Sequence, residues 1–194
     1  MLARYTKNHR YSARGFTMIE VLVTIIILAF GLLGMATLES KVQLTEMESY
    51  QRGQAIALLS DMLQKISVNA PSAASYVTGS SLGTGDATYS TTPCSGTGST
   101  LDLCEWSNAL KGAAEKNSGG SNVGAMIGAK GCISQIQAAN PAAGVCQPAI
   151  YRVTVMWQGM HPTVTPNLVC PGVAADASSR SISSQVSIGL PSCS

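Results

Sequence analysis

Three hydrophobic patterns follow one another along the chain. From Val21 to Leu38 no charged side chain interrupts an apolar run, and Phe16 to Ile19 lengthens it to a segment broken only by Glu20. At the rise of an α-helix, residues 16–38 span about 34 Å, enough to cross a hydrocarbon core of about 30 Å. The pattern then turns amphipathic: Leu44, Met47, Ala55, Leu58, Leu59, Met62 and Ile66 recur mostly every three or four residues. Glu39, Lys41, Glu46, Glu48, Arg52, Asp61 and Lys65 fall on the other faces or at the membrane-proximal end. Asn69-Ala70-Pro71 supplies a stop, because proline disfavours helix in the residue before it and has no N–H to donate. One helix from Phe16 to Val68, about 80 Å long, is the expectation.

The third pattern alternates. Tyr151, Val153, Val155 and Trp157 share one face of a strand over Ile150–Gln158, and Ile182, Val186 and Ile188 share one face of another over Ser181–Ile188. Ala129–Ile136 is a further strand, and Thr163–Val169 a weaker one that Pro166 confines to an edge or bulge. Residues 72–100 are rich in Ser, Thr and Gly and read as connection, with short edge strands at Val77 and over Ala87–Thr91. Leu101–Lys116 reads as a short helix ended by Gly119-Gly120, with Leu103, Trp106 and Leu110 inward, Asp102 and Glu105 early, and Lys111 and Lys116 late. The fold class expected is α+β: a long N-terminal helix packed on an antiparallel sheet of about four strands.

Charge changes the picture at the N-terminus. Arg4, Lys7, Arg10 and Arg14 make the first 15 residues basic and acid-free, the composition held on the cytoplasmic side of a membrane. The chain carries 12 basic and 10 acidic side chains, so removing those four basic residues leaves a balance of −2 and no basic patch to hold nucleic acid. Glu20 is the anomaly. A lone carboxylate inside a spanning segment costs about 2.5 kcal/mol or more unless something neutralises it. Cleavage after Gly15 would place a new ammonium group on Phe16, four residues before Glu20. Within one chain that spacing shares a helix face, and between chains the amine of one meets the carboxylate of its neighbour. An ordinary secretory signal cut after Ala36, or a plain anchor, leaves Glu20 without a role.

The string GFTMIEVLVTIIILAFGLLG resembles the class III leader and N-terminal helix of type IV pilins and pseudopilins. That resemblance implies cleavage by a prepilin peptidase between Gly15 and Phe16, N-methylation of Phe16, and Glu20 as the assembly carboxylate. It divides the chain into a leader (1–15), a membrane or filament-core helix (16–38), an amphipathic extension (39–70) and a globular domain (71–194). Gly31 to Met35, Gln51 to Asn69, Trp106, and Val155 to Gly159 further resemble the PilV-like minor pilins. Their role implies priming of pilus assembly, a place in a tip complex, and support of twitching motility and adhesion. The partners implied are other minor pilins, the major pilin, the prepilin peptidase, the inner-membrane assembly platform and the membrane itself. The implied location is the inner membrane, with the C-terminal domain periplasmic, then the pilus surface. A minor pseudopilin of a type II secretion system is the alternative within the same physics, and a membrane-anchored periplasmic adhesive or binding domain the alternative outside it. Many major pilins carry a proline some twenty residues past the phenylalanine. This chain has Thr37 thereabouts, so Gly31 and Gly34 are left to supply any bend.

Cys94, Cys104, Cys132, Cys146, Cys170 and Cys193 all lie beyond the apolar run, and an even number in an exported segment points to disulfides. The sequential set is expected: Cys94 with Cys104, Cys132 with Cys146, Cys170 with Cys193. No Cys-x-x-Cys occurs, and His161 is the one histidine outside the leader, so neither a metal nor any other cofactor is expected. His161, before Pro162, reads as a surface side chain, Gly83-Thr84-Gly85-Asp86 as a turn, and Trp106 as a packing residue. No Gly-x-Ser-x-Gly elbow is present, and the chain is not expected to be an enzyme.

Overall fold

The computed structural model describes residues 15–89, 93–113, 116–124 and 126–190; the leader ahead of Gly15, and Cys193, lie outside them. The elements in chain order are helix α1 (Met18–Val68), a 3₁₀ segment (Ala70–Tyr76), β1 (Leu82–Gly83), α2 (Ser99–Leu110), β2 (Ile127–Gln137), β3 (Ala149–Gln158) and β4 (Ser179–Ile188). The strands form one antiparallel sheet in the order β1-β2-β3-β4. This is the α+β, pilin-like arrangement expected, a long apolar N-terminal helix and a four-stranded antiparallel sheet. The chain divides into two units at Gln43/Leu44.

In the first unit α1 runs unbroken through Gly31 and Gly34, and its apolar side chains are exposed. Thr24 Oγ1 donates to the Val21 carbonyl at 2.8 Å and Thr37 Oγ1 to that of Leu33 at 3.0 Å, so each hydroxyl in the run is satisfied by its own helix. That is what an apolar surrounding demands of them.

The second unit holds the core. Ala55, Leu59, Met62 and Ile66 form the buried stripe of α1, as the spacing predicts, while Leu44 and Leu58 are half-buried and Met47 is exposed. Against the stripe lie Ile133, Tyr151, Val153, Val155 and Trp157 from the sheet and Leu103, Trp106 and Leu110 from α2. The β3–β4 register runs without interruption from Ala149↔Ile188 to Gln158↔Ser179 and brings Tyr151 beside Val186 and Val155 beside Ile182. Period-two patterning therefore gives the inner face correctly. The other face of β3 is also covered at its centre, where Thr154 and Met156 are buried and Met156 packs with Cys132 and Cys170.

Four local expectations need correction. Neither Val77 nor the described part of Ala87–Thr91 is a strand; the edge strand is Leu82–Gly83, and Thr78 meets the sheet through a backbone bond to Ile133 at 2.9 Å. Helix α2 ends at Leu110 rather than at Lys116, because Gly112, at φ +76°, turns the chain so tightly that a Cβ there would lie 2.6 Å from Gly124. Thr163–Val169 forms no strand. Pro162 and Pro166 cannot donate to a ladder, and the chain instead crosses the back of β3, where the Cys170 N–H meets Met156 Sδ at 3.1 Å. The same crossing decides the disulfides. Cys94 pairs with Cys104 as expected, but Cys132 pairs with Cys170, which overturns both remaining sequential pairs. Cys146 is disulfide-bonded as well. Nearness in sequence fails here because the β3–β4 connection folds over the sheet face that carries Cys132.

Trp106 is buried, donates its indole N–H to the Leu58 carbonyl at 2.9 Å, and lays its ring on Gly131. A Cβ at position 131 would come within 2.3 Å of that ring. Gly131→Ala is therefore expected to destabilise the protein by about 1–3 kcal/mol through overpacking. Denaturant unfolding of the full chain in detergent checks this, and an unchanged midpoint would show that the ring yields freely.

Candidate assembly site

Gly15, Phe16 and Thr17 precede the first helical residue, Met18. The helix starts there because Thr17 caps it. The Glu20 N–H lies 3.3 Å from Thr17 Oγ1 and 3.1 Å from the Thr17 carbonyl, which also accepts from Val21 at 3.3 Å. Thr17-Met18-Ile19-Glu20 is thus a capping sequence, a Ser/Thr with a Glu three positions later ahead of an apolar run. The four-residue signature is visible in the sequence, and it gives Thr17 and Glu20 a local role beside the charge of the glutamate. Phe16 stands just ahead of the first helical residue, Met18.

Phe16 is 81% exposed, and Gly15 and Glu20 are exposed too. An exposed Gly-Phe junction and a carboxylate in the first helical turn sit within six residues of each other. The carboxylate also lies where the helix N-terminus carries partial positive charge, which favours it. From Val21 to Leu38 the side chains present apolar surface on all sides, the condition of a helix that lipid or other helices must cover. The helix is long and apolar enough to cross a membrane.

Other polar groups hold the second unit together. Lys65 on α1 pairs with Glu105 at 3.0 Å and with Asp61 and Asp102 at 3.7 Å. The Tyr76 hydroxyl donates to Asp102 and accepts from the Asn69 amide. Asp102 and Glu105, expected to serve the α2 dipole, thus also tie α2 to α1. Lys111 donates to the carbonyls of Asp86 and Tyr89, and Asp86 accepts from Ser107 Oγ at 3.1 Å, so the expected turn at Gly83–Asp86 is pinned to α2. His161 is exposed, as expected, with Nδ1 3.7 Å from Glu48. Among the described residues no group of three His, Cys, Asp or Glu is placed to hold a metal.

Residues 10–36 match the prokaryotic N-terminal methylation motif. No curated protein matches the chain, and no solved structure does. The matched stretch takes in Arg10, Arg14, the Gly-Phe junction, the cap, Glu20 and most of the apolar run. The chain thus carries a class III prepilin leader and, with its fold, is a type IV pilin- or pseudopilin-like protein. Such a leader implies processing by a prepilin peptidase and assembly with other pilins in the membrane. The pilin-like family is structural, not enzymatic.

Several of these groups titrate away from their ordinary ranges. Burial pulls the Glu48 carboxyl up, but N–H groups of Met160 and His161 and the Arg180 guanidinium outweigh it and leave the pKa lowered. Asp86 is likewise raised by burial and lowered further by Thr88, Ser107 and Lys111. A carboxylate with a depressed folded pKa stabilises above its unfolded pKa and loses that contribution as pH falls through the folded value. Lys65 has the opposite sign: burial lowers it, but Glu105 with Asp61 and Asp102 raises it, so its contribution is lost only as pH rises past the usual lysine range. Thermal stability of the full chain in detergent is expected to fall once pH drops below about 4.5. Glu48→Gln should flatten part of that acid limb, and an acid limb identical to wild type would remove Glu48 from the account.

Proposed function

We propose that the chain is a minor pilin of a type IV pilus, of the PilV-like kind, that primes pilus assembly from a tip complex and supports twitching motility and adhesion. The observation that carries this reading is the methylation motif laid over a capped helix with Glu20 in its first turn. Prepilin peptidase removes residues 1–15, and Phe16 becomes the methylated amino terminus. The subunit then waits in the inner membrane on residues 16–38, its extension (39–70) and globular domain (71–194) periplasmic. At the assembly platform the apolar helix exchanges lipid for the helices of other minor pilins and the major pilin. Glu20 meets the Phe16 ammonium of an adjoining protomer. Pairing them inside an apolar medium fixes register, a use of buried charge that does not require a large net stabilisation. The pilin-like fold supports a structural role with no catalysis.

The methylation motif fits a minor pseudopilin of a type II secretion system equally well, and parallel assays separate the two. Deletion of the gene is expected to reduce surface pili and leave secretion intact, whereas lost secretion with normal piliation favours the pseudopilin. Glu20→Ala is expected to leave the protein expressed and membrane-bound and to lower its recovery in sheared pili by about tenfold, the effect of about 1.4 kcal/mol. Undiminished recovery would contradict the role given to Glu20.

A further inference from the structure

The connection between β3 and β4, residues 159–178, is fastened at two places. Its far part is tied to the back of the sheet by Cys132–Cys170. Its neck is drawn together by Arg180. One terminal nitrogen of that guanidinium donates to Thr163 Oγ1 at 2.7 Å and approaches the carbonyls of Ala177, Ser178 and Ser179 at 3.3–3.4 Å. The other donates to the His161 carbonyl at 2.5 Å. Gly159 makes the crossing possible, since a Cβ there would lie 2.6 Å from the guanidinium carbon.

Into this neck α1 sends one side chain. Glu48 Oε1 accepts from the backbone N–H of Met160 at 3.1 Å and His161 at 3.3 Å, and from Arg180 Nη2 at 3.2 Å. A carboxylate oxygen receiving two consecutive backbone N–H groups and a guanidinium is held by charge-assisted bonds of the stronger kind. The apolar grip of the helix starts later. The buried stripe begins at Gln51 and continues with Ala55, and of the residues from Leu44 to Tyr50 just Leu44 and Glu48 are half-buried. Beside these turns a cavity of about 290 Å³ separates Thr45, Ser49 and Arg52 from Trp157, Ser181 and Ile182. A charge-assisted fastening by Glu48 bridges the segment to the sheet beside this gap.

We propose that Glu48 is a latch that holds the turns of α1 over residues 44–50 to the sheet, and that its release frees those turns while the stripe from Ala55 onward stays docked. Such openings of a weakly packed segment below the global unfolding limit are common in folded proteins. For a helix that must leave lipid and enter a bundle, a use that rests on the pilin reading, release of the latch loosens these turns without unfolding the domain.

The test is a distance measurement on the full chain in detergent micelles, and it does not depend on pilus formation. Spin labels borne by non-canonical residues at Glu46 and Gln158 report the latched turns, and a second pair at Gln64 and Gln185 reports the docked stripe. Glu48→Ala is expected to widen the 46–158 distance distribution at least about twofold and leave the 64–185 distribution unchanged. Glu48→Gln preserves shape and an acceptor for the two N–H groups, guards against misfolding, and is expected to widen the 46–158 distribution by less. Unchanged 46–158 widths in both variants, or equal widening of both label pairs, would overturn the latch.

Discussion

A carboxylate is costly in an apolar medium unless something answers it, and the N-terminal fifth of this chain, to Leu38, carries that constraint. Glu20 occupies the first turn of a helix whose next eighteen residues, Val21 to Leu38, are uncharged. The Thr17 cap and the partial positive charge of the helix start ease its presence but do not cancel a full negative charge. On the proposed reading, a peptidase cut at Gly15–Phe16 would supply the missing cation. Phe16 precedes the first helical residue, Met18, and the pairing proposed for its amine and Glu20 is one between adjoining protomers. The reaction that matures the subunit is, on this account, also what makes its apolar helix fit to pack.

The second unit solves a different problem: how to carry a long helix whose apolar stripe extends over only part of its length. Ala55, Leu59, Met62 and Ile66 are covered by the sheet and by α2, and Trp106, through Gly131 on one side and the Leu58 carbonyl on the other, joins the three layers. Lys65 draws the acids of α2 toward α1. Where the stripe ends, charge takes over through Glu48 and Arg180. The hydrophobic part of the docking is rigid and non-directional, while the polar part depends on a few bonds and on pH.

Local periodicity made most of this legible in the sequence. The apolar run, the stripe on α1 and the alternations in β3 and β4 depend on near neighbours; the strands fell within a residue or two of their expected bounds, while the buried stripe starts at Gln51 rather than at Leu44. Failures came where contacts distant in sequence decide. Nothing near Cys132 signals that the chain returns over it at Cys170, 38 residues later. Glu48 and Arg180, 132 residues apart, look like two solvated charges until β4 is laid beside β3 and faces α1. Gln51, absent from the expected stripe, is buried in it. Thr17 is the one omission that local reasoning had the means to avoid. Within the candidate site the Gly15–Phe16 junction and Glu20 stood out in the sequence, whereas the cap that places them did not.

The most direct measurement of the central claim is the mass of the N-terminal peptide of the protein isolated from cell membranes. A chain beginning at Phe16 and carrying one added methyl group is the predicted result. A chain that begins elsewhere, whether with its leader retained or cut after Ala36, would leave Glu20 without its cation and contradict the account.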